Sequence, residues 1–226
     1  MICAGVKAAD KTSIYLFPGQ GSDYRIFHEL KWNKSYDIAY MSLPVPEKGE
    51  SMKEYALRFV PLIDTTENYI LIGVSLGGMI CTELSDLLNP QKVILISSAK
   101  TTKELPARYT FNKSLKLNRI IPKKTVRNWA LYLQPIVEPE SKNDELFINM
   151  LGSKDPVYLK RTIDMIINWD RKQYNPQIIH IHGNKDNTIP IKNVKVDYII
   201  EDGSHMMVLT RHEEINIILN KILEKD

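Results

Sequence analysis

Ser75 sits in the run YILIGVSLGGMICTEL (69–84), two residues after Gly73 and two before Gly77. A serine hydroxyl is a weak nucleophile until a base takes its proton, and a neutral histidine serves as that base when an acid orients its ring. The chain offers both. Asp186 lies in HGNKDNTIP, just past the apolar run QIIHI, and His205 lies in EDGSHMMV, just past VDYII. Together the three side chains could perform acyl transfer. Ser75 would attack a carbonyl carbon, His205 would carry the proton, and Asp186 would hold the imidazole tautomer and stabilise its cation. Asp202 is a rival acid, but a residue three positions before His205 is badly placed to hold that ring from behind. The other histidines read as structural. His180 and His182 lie in or beside a buried run, and His28 and His212 fall in helical patterns.

These residues need a scaffold that brings distant loops together. SIYLF (13–17), YDIAYMSL (36–43), YILIGV (69–74), KVILIS (92–97), QIIHIHG (177–183) and VDYIIEDG (196–203) read as strands. Helical patterns cover DYRIFHEL (23–30), SMKEYALRFVPLID (51–64), roughly 76–88 and RHEEINIILNKILEK (211–225). Ser51 and Glu54 have capping-box spacing, and Pro61 should end or bend the helix it lies in. Continuous apolar strands alternating with helices imply a parallel sheet buried on both faces. The expected class is therefore α/β, a mostly parallel central sheet flanked by helices. The alternation breaks over residues 101–175, where KKTVRNWALYL (123–133) and PVYLKRTIDMIINW (156–169) are helical and no strand is clear. The expected organisation is a core of residues 1–100 and 176–226 with 101–175 inserted as a helical cap. In a parallel sheet the loops bearing Ser75, Asp186 and His205 leave from one edge. A strand-to-helix turn at Ser75 would also set its hydroxyl beside a helix N-terminus, which favours developing negative charge.

Composition narrows the function class. Of 226 residues, 43% are apolar and 25% charged, as in a soluble globular domain, and the net charge of +3 is too mild to argue for nucleic acid. Cys3 and Cys81 form no disulfide framework or metal-ligand pattern, and Cys81 reads as a small buried hydrophobe. Lys7, Asp10 and Lys11 interrupt the N-terminal stretch, so it does not read as a signal peptide, and no run approaches the length of a membrane span. A cytoplasmic location is the default expectation. No feature specifies an oligomeric state.

FPGQG (17–21), GVSLG (73–77), HGNKD (182–186) and GSH (203–205) occur in the order, and at the strand ends, that resemble an α/β-hydrolase over most of the chain. The resemblance implies Ser75 as nucleophile, Asp186 as acid and His205 as base. Two N–H groups would hold the oxyanion, one from Leu76, the residue after the nucleophile, and one from Gln20. It implies hydrolysis of a carboxylic ester or thioester of a small acyl substrate through an acyl-enzyme, with no metal and no organic cofactor. The chain departs from the pattern at Pro18, where such proteins carry a histidine in an HG-type turn. Proline cannot make that histidine's hydrogen bonds, so the loop must be shaped in another way.

FPGQGS also resembles the opening of malonyl-type acyl-carrier-protein transacylases. Those should carry an arginine after the nucleophile, and LGGMICTELSDLL has none. They also leave HGNKD and GSH unexplained. An acyl-carrier or acyl-CoA thioesterase or acyltransferase is a nearer alternative. Residues 101–127 hold Lys103, Arg108, Lys113, Lys116, Arg119, Lys123, Lys124 and Arg127 against Glu104, a basic stretch that could steer an anionic substrate or simply be a solvated face. A catalytically silent binding protein of the same fold is the alternative outside enzymes. Dehalogenation is disfavoured, since dehalogenating relatives carry aspartate where Ser75 stands. Trp129, Tyr132, Leu133, Phe147 and Trp169 are candidates to line an acyl pocket, although simple packing of the cap is the better explanation for any one of them.

Overall fold

The computed structural model describes residues 11–109, 128, 131–132 and 145–224. Six strands form one sheet: β1 (Thr12–Phe17), β2 (Tyr36–Tyr40), β3 (Tyr69–Val74), β4 (Lys92–Ile96), β5 (Ile179–Gly183) and β6 (Tyr198–Ile200). Their order is β2-β1-β3-β4-β5-β6, and every neighbouring pair is parallel. Parallel neighbours require crossovers; α-helices lie in those from β2 to β3, β3 to β4 and β4 to β5, and 3-10 turns in those from β1 to β2 and β5 to β6.

The α-helices are α1 (Met52–Leu57), α2 (Leu76–Leu87), α3 (Glu145–Gly152), α4 (Pro156–Asn168), α5 (Met207–Thr210) and α6 (His212–Leu223). Alternate strand residues feed two apolar clusters. Ile14, Leu16, Ile70, Ile72, Ile94, Ile96 and Ile181 pack with α5 and α6 on one face. Tyr15, Phe17, Leu71, Val93 and Leu95 pack with α1 and α2 on the other. Both faces of the central strands are covered, which accounts for their unbroken apolar runs.

Between β4 and β5 the chain leaves the sheet. Helix α3 and the first half of α4 give Phe147, Met150, Leu151, Tyr158 and Leu159 to the first cluster. The second half of α4 gives Met165 and Ile166 to the other. One helix thus bridges the two sides of the sheet. Most of the basic stretch, Trp129 and Leu133 lie outside the described residues, as do residues 1–10 with Cys3 and Lys7.

Some elements are shorter than the sequence pattern implies. DYRIFHEL keeps one 3-10 turn, Tyr24–Phe27, because Asp23 caps Arg25 N and also grips its guanidinium, while Ile26 and Phe27 anchor in the core. The 51–64 helix divides into α1 and a 3-10 turn at Val60–Leu62, where Pro61 has no N–H to continue the ladder. Strand β2 stops at Tyr40, where its register with Leu16 runs out. Helix α5 has no counterpart among the expected elements. The capping box at Ser51 and Glu54 is present. Among the described residues no helix is long and apolar enough to cross a membrane.

Candidate active site

Register places the ends of β1, β3, β4, β5 and β6 on one edge of the sheet. Phe17 pairs with Gly73, Val74 with Ile96, Ile96 with Ile181, and Gly183 with Ile200. The segments that follow, PGQG, Ser75, Ser97–Ser98, NKD and EDGSH, therefore gather at that edge.

Ser75 adopts φ 51°, ψ −117°, a conformation that non-glycine residues rarely hold and that costs about 1–3 kcal/mol. Its neighbours hold it there. Its N–H donates to Ile96 O at 3.0 Å. Its carbonyl accepts from Ser98 Oγ at 2.6 Å, from Gly78 N at 2.9 Å and from Met79 N at 3.2 Å. Gly77 must be glycine because its α-carbon lies against the end of β1. A Cβ there would sit 2.1 Å from Phe17 O and 2.7 Å from Pro18 O.

His205 and Asp186 meet Ser75 from two neighbouring loops. His205 Nε2 lies 2.9 Å from Ser75 Oγ, and His205 Nδ1 lies 2.7 Å from Asp186 Oδ2. Asp186 Oδ1 accepts from Thr188 N at 2.8 Å and Ile189 N at 2.7 Å. The two loops are laced together. Lys185 N donates to Gly203 O at 3.0 Å, Asn184 N to Ile200 O at 3.1 Å, and Asp202 N to Asn184 Oδ1 at 2.8 Å. A Cβ on Gly183 would fall 2.0 Å from Gly203 O, so this interlock requires a bare α-carbon. Asp186 and His205 are buried, while Ser75 stays partly open.

The electrostatics suit this arrangement. Burial alone would raise the Asp186 carboxyl. The His205 imidazole, His182 and the Ile189 N–H outweigh it and hold the group below its ordinary value, so Asp186 is a carboxylate at neutral pH. Behind it, His182 Nε2 lies 2.8 Å from Ile189 O and 3.3 Å from Asp186 Oδ2, two acceptors that put its proton on that nitrogen. His182 Nδ1 lies 3.1 Å from His180 Nε2. Burial holds both rings below the ordinary histidine value, His180 well below it.

The structure brings Ser75, Asp186 and His205 into contact and sets Leu76 at the first position of α2 beside them. Gln20 follows Gly19, where a Cβ would lie 3.4 Å from Ser75 Cβ. Among the described residues neither the Gln20 nor the Leu76 N–H has a protein acceptor. Asp202 points elsewhere: it is exposed and pairs with Lys185 at 2.8 Å. His28 and His212 bond local carbonyls of Arg25 and Leu209. Trp169 packs beneath α4 and donates to Glu83 Oε1 at 2.8 Å, Tyr132 is exposed, and Phe147 lies beside Gly21 of the PGQG loop. Sequence reasoning missed Ser98. Its only signal was a polar Ser97–Ser98 pair breaking off an apolar strand.

No protein-family model matches the chain, and no curated protein does. Solved structures match over nearly the whole chain. The enol-lactonase of Burkholderia xenovorans has TM-score 0.72 at 15% identity, covering 95% of this chain and 92% of that one. A thermophilic esterase of Thermogutta terrifontis has TM-score 0.68 at 13% identity, covering 95% and 90%. An epoxide hydrolase of the α/β-hydrolase superfamily, from hot-environment metagenomes, has TM-score 0.70 at 11% identity, covering 96% and 92%. The chain has the α/β-hydrolase fold.

Two expectations follow. Gly77→Ala should cost at least about 3 kcal/mol, because backbone and not a pliable side chain occupies the space. Gly152→Ala, with nothing within 4 Å of its added Cβ, should stay within about 1 kcal/mol of wild type in urea midpoints. The second concerns acid. His180 and His182 have folded pKa values below the ordinary 6.5, so the unfolded chain binds more protons and their stabilisation is complete only above that pH. Stability should fall as pH drops from about 6.5, by up to about 1.4 kcal/mol per unit for each ring. A flat urea midpoint from pH 7 to 5 would count against two neutral buried histidines.

Proposed function

We propose that the protein is a serine hydrolase that cleaves a carboxylic ester or thioester through an acyl-enzyme. One observation carries this reading: the continuous hydrogen-bond chain from Ser75 Oγ through His205 to Asp186, at the strained turn before α2. Ser75 attacks the acyl carbon while His205 Nε2 takes its proton. His205 then gives that proton to the leaving alcohol or thiol. Asp186, charged and fixed by the Thr188 and Ile189 N–H groups and His205, holds the ring with Nδ1–H towards itself and stabilises the imidazolium. The N–H groups of Leu76 and Gln20 receive the oxyanion, aided by the N-terminus of α2. Water enters, His205 again acts as base, and the acid product leaves. No step requires a metal or an organic cofactor. The enol-lactonase and esterase among the structural neighbours act on esters, as their names state, which favours the same bond class here. Helices α3 and α4 belong to a cap over the site, with Phe147 the best placed of the candidate pocket residues.

The test is intact mass after exposure to a fluorophosphonate, alongside turnover of p-nitrophenyl esters and acyl thioesters of graded length. Wild type should gain one adduct, and Ser75→Ala none. His205→Ala and Asp186→Asn should cut kcat by about 10³-fold or more while remaining folded. Saturable ligand binding that Ser75→Ala leaves intact, with no adduct and no turnover in wild type, would instead indicate a silent binding protein.

A further inference from the structure

Pro18 replaces the histidine that shapes this loop in the proteins the chain resembles, so something else must hold the second oxyanion donor in place. The turn itself is closed by Ser22, whose N–H and Oγ both reach Gly19 O, at 3.2 Å and 3.3 Å. That closure and the packing of Phe17 and Pro18 on Gly77 set the turn beside Ser75 but leave the direction of the Gln20 N–H unspecified. The side chain of Gln20 extends away from the turn into helix α4. Its Nε2 donates to Leu159 O at 3.1 Å and to Thr162 Oγ1 at 2.7 Å, using both amide protons. The Leu159 carbonyl can only accept, which fixes the amide orientation. Thr162 is fully buried, and its hydroxyl lies 2.8 Å from Tyr158 O. The hydroxyl also lies 3.1 Å from Leu159 O; both carbonyls can only accept, so they share its single proton and a lone pair is left for Gln20 Nε2. Helix α4 is itself tied to the core by Arg161 Nη1, which donates to Pro46 O at 2.7 Å.

We infer that Thr162 and the Gln20 amide are positioning residues that set the second oxyanion donor from helix α4, in place of the missing histidine. This inference rests on the hydrolase reading above. The Gln20 backbone N–H and side-chain amide belong to one residue, so an anchored amide limits where the N–H can point. An oxyanion donor displaced by a fraction of an ångström stabilises the transition state poorly while hardly affecting substrate binding. The loop's competence therefore depends on α4 being docked, and α4 becomes part of the catalytic geometry.

Thr162→Val preserves shape and removes the acceptor, and Thr162→Ser restores it. With p-nitrophenyl butyrate, Thr162→Val should lose about ten- to a hundredfold in kcat with KM within about threefold. Affinity for an alkyl boronic acid, which mimics the tetrahedral state, should fall in parallel with kcat. Thr162→Ser should recover most of both. Gln20→Leu, which keeps the backbone N–H and removes the amide, should behave like Thr162→Val, and thermal unfolding of each variant checks that it remains folded. Folded Thr162→Val and Gln20→Leu enzymes with wild-type kcat and boronate affinity would overturn the inference while leaving the hydrolase reading intact. Equal losses in Thr162→Val and Thr162→Ser would also overturn it. A wild type that neither labels with fluorophosphonate nor turns over ester removes the hydrolase reading, and this inference with it.

Discussion

The left-handed backbone at Ser75 is the constraint on which the rest of the site depends. A residue at φ 51° would relax if its neighbours allowed it. The structure prevents this from three directions. Strand β4 takes the N–H, Ser98 and the first turn of α2 take the carbonyl, and the end of β1 presses on Gly77. The strain stored in one residue is thus offset by contacts from two strands, a helix and Ser98. Those same contacts bring the PGQG loop against the serine, since Phe17 and Pro18 are the atoms that Gly77 meets. Exposing the hydroxyl and placing the PGQG loop are one packing event.

On the other side of Ser75 the problem is electrostatic. A buried carboxylate is costly unless its oxygens are satisfied. Asp186 receives the Thr188 and Ile189 N–H groups on one oxygen and His205 on the other, with His182 alongside. The two backbone donors come from Asp186's own loop, so the charge organises the loop that carries it. Asp202 shows the contrast. It is exposed, its partner is the lysine of the same loop pair, and its positive φ serves the turn that aims His205. A carboxylate already satisfied in water by Lys185 has little left to offer a ring on the inner side.

Much of this was legible because buried parallel strands and glycine-bounded turns are local signals. YILIGV, KVILIS and QIIHIHG announce themselves as apolar runs, and the loops after them carry the reactive residues in plain sight. Glycine spacing marked the turn at Ser75 for the same reason: the crowding that demands it lies within a few residues. Legibility failed where partners are far apart in sequence or an element is set by packing. Ser98 acts on a residue 23 positions away, and Gln20 on one 142 positions away. Neither bond leaves a periodicity. DYRIFHEL carries a helical apolar spacing, yet the Asp23–Arg25 interaction and the approach to β2 keep it to a single turn. Helix α5 follows the base loop too closely to produce a pattern of its own, and only burial of Met207, Val208 and Leu209 shows why it forms.

The point at which the chain departs from the sheet matters as much as what it inserts there. It leaves just after Ser98, whose hydroxyl grips the Ser75 carbonyl, and returns on β5, with Asp186 in the loop that follows. The stretch between those two places brings Phe147 and Leu151 of α3 against Gly21 and Thr162 of α4 against Gln20. Its helix α4 spans from the cluster on one face of the sheet to the cluster on the other, crossing beside Gln20 on the way. Substitutions along α4 would therefore strain the PGQG loop. In a fold whose core tolerates many chemistries, and on the hydrolase reading proposed above, that coupling would tie the choice of substrate to the stabilisation of its transition state.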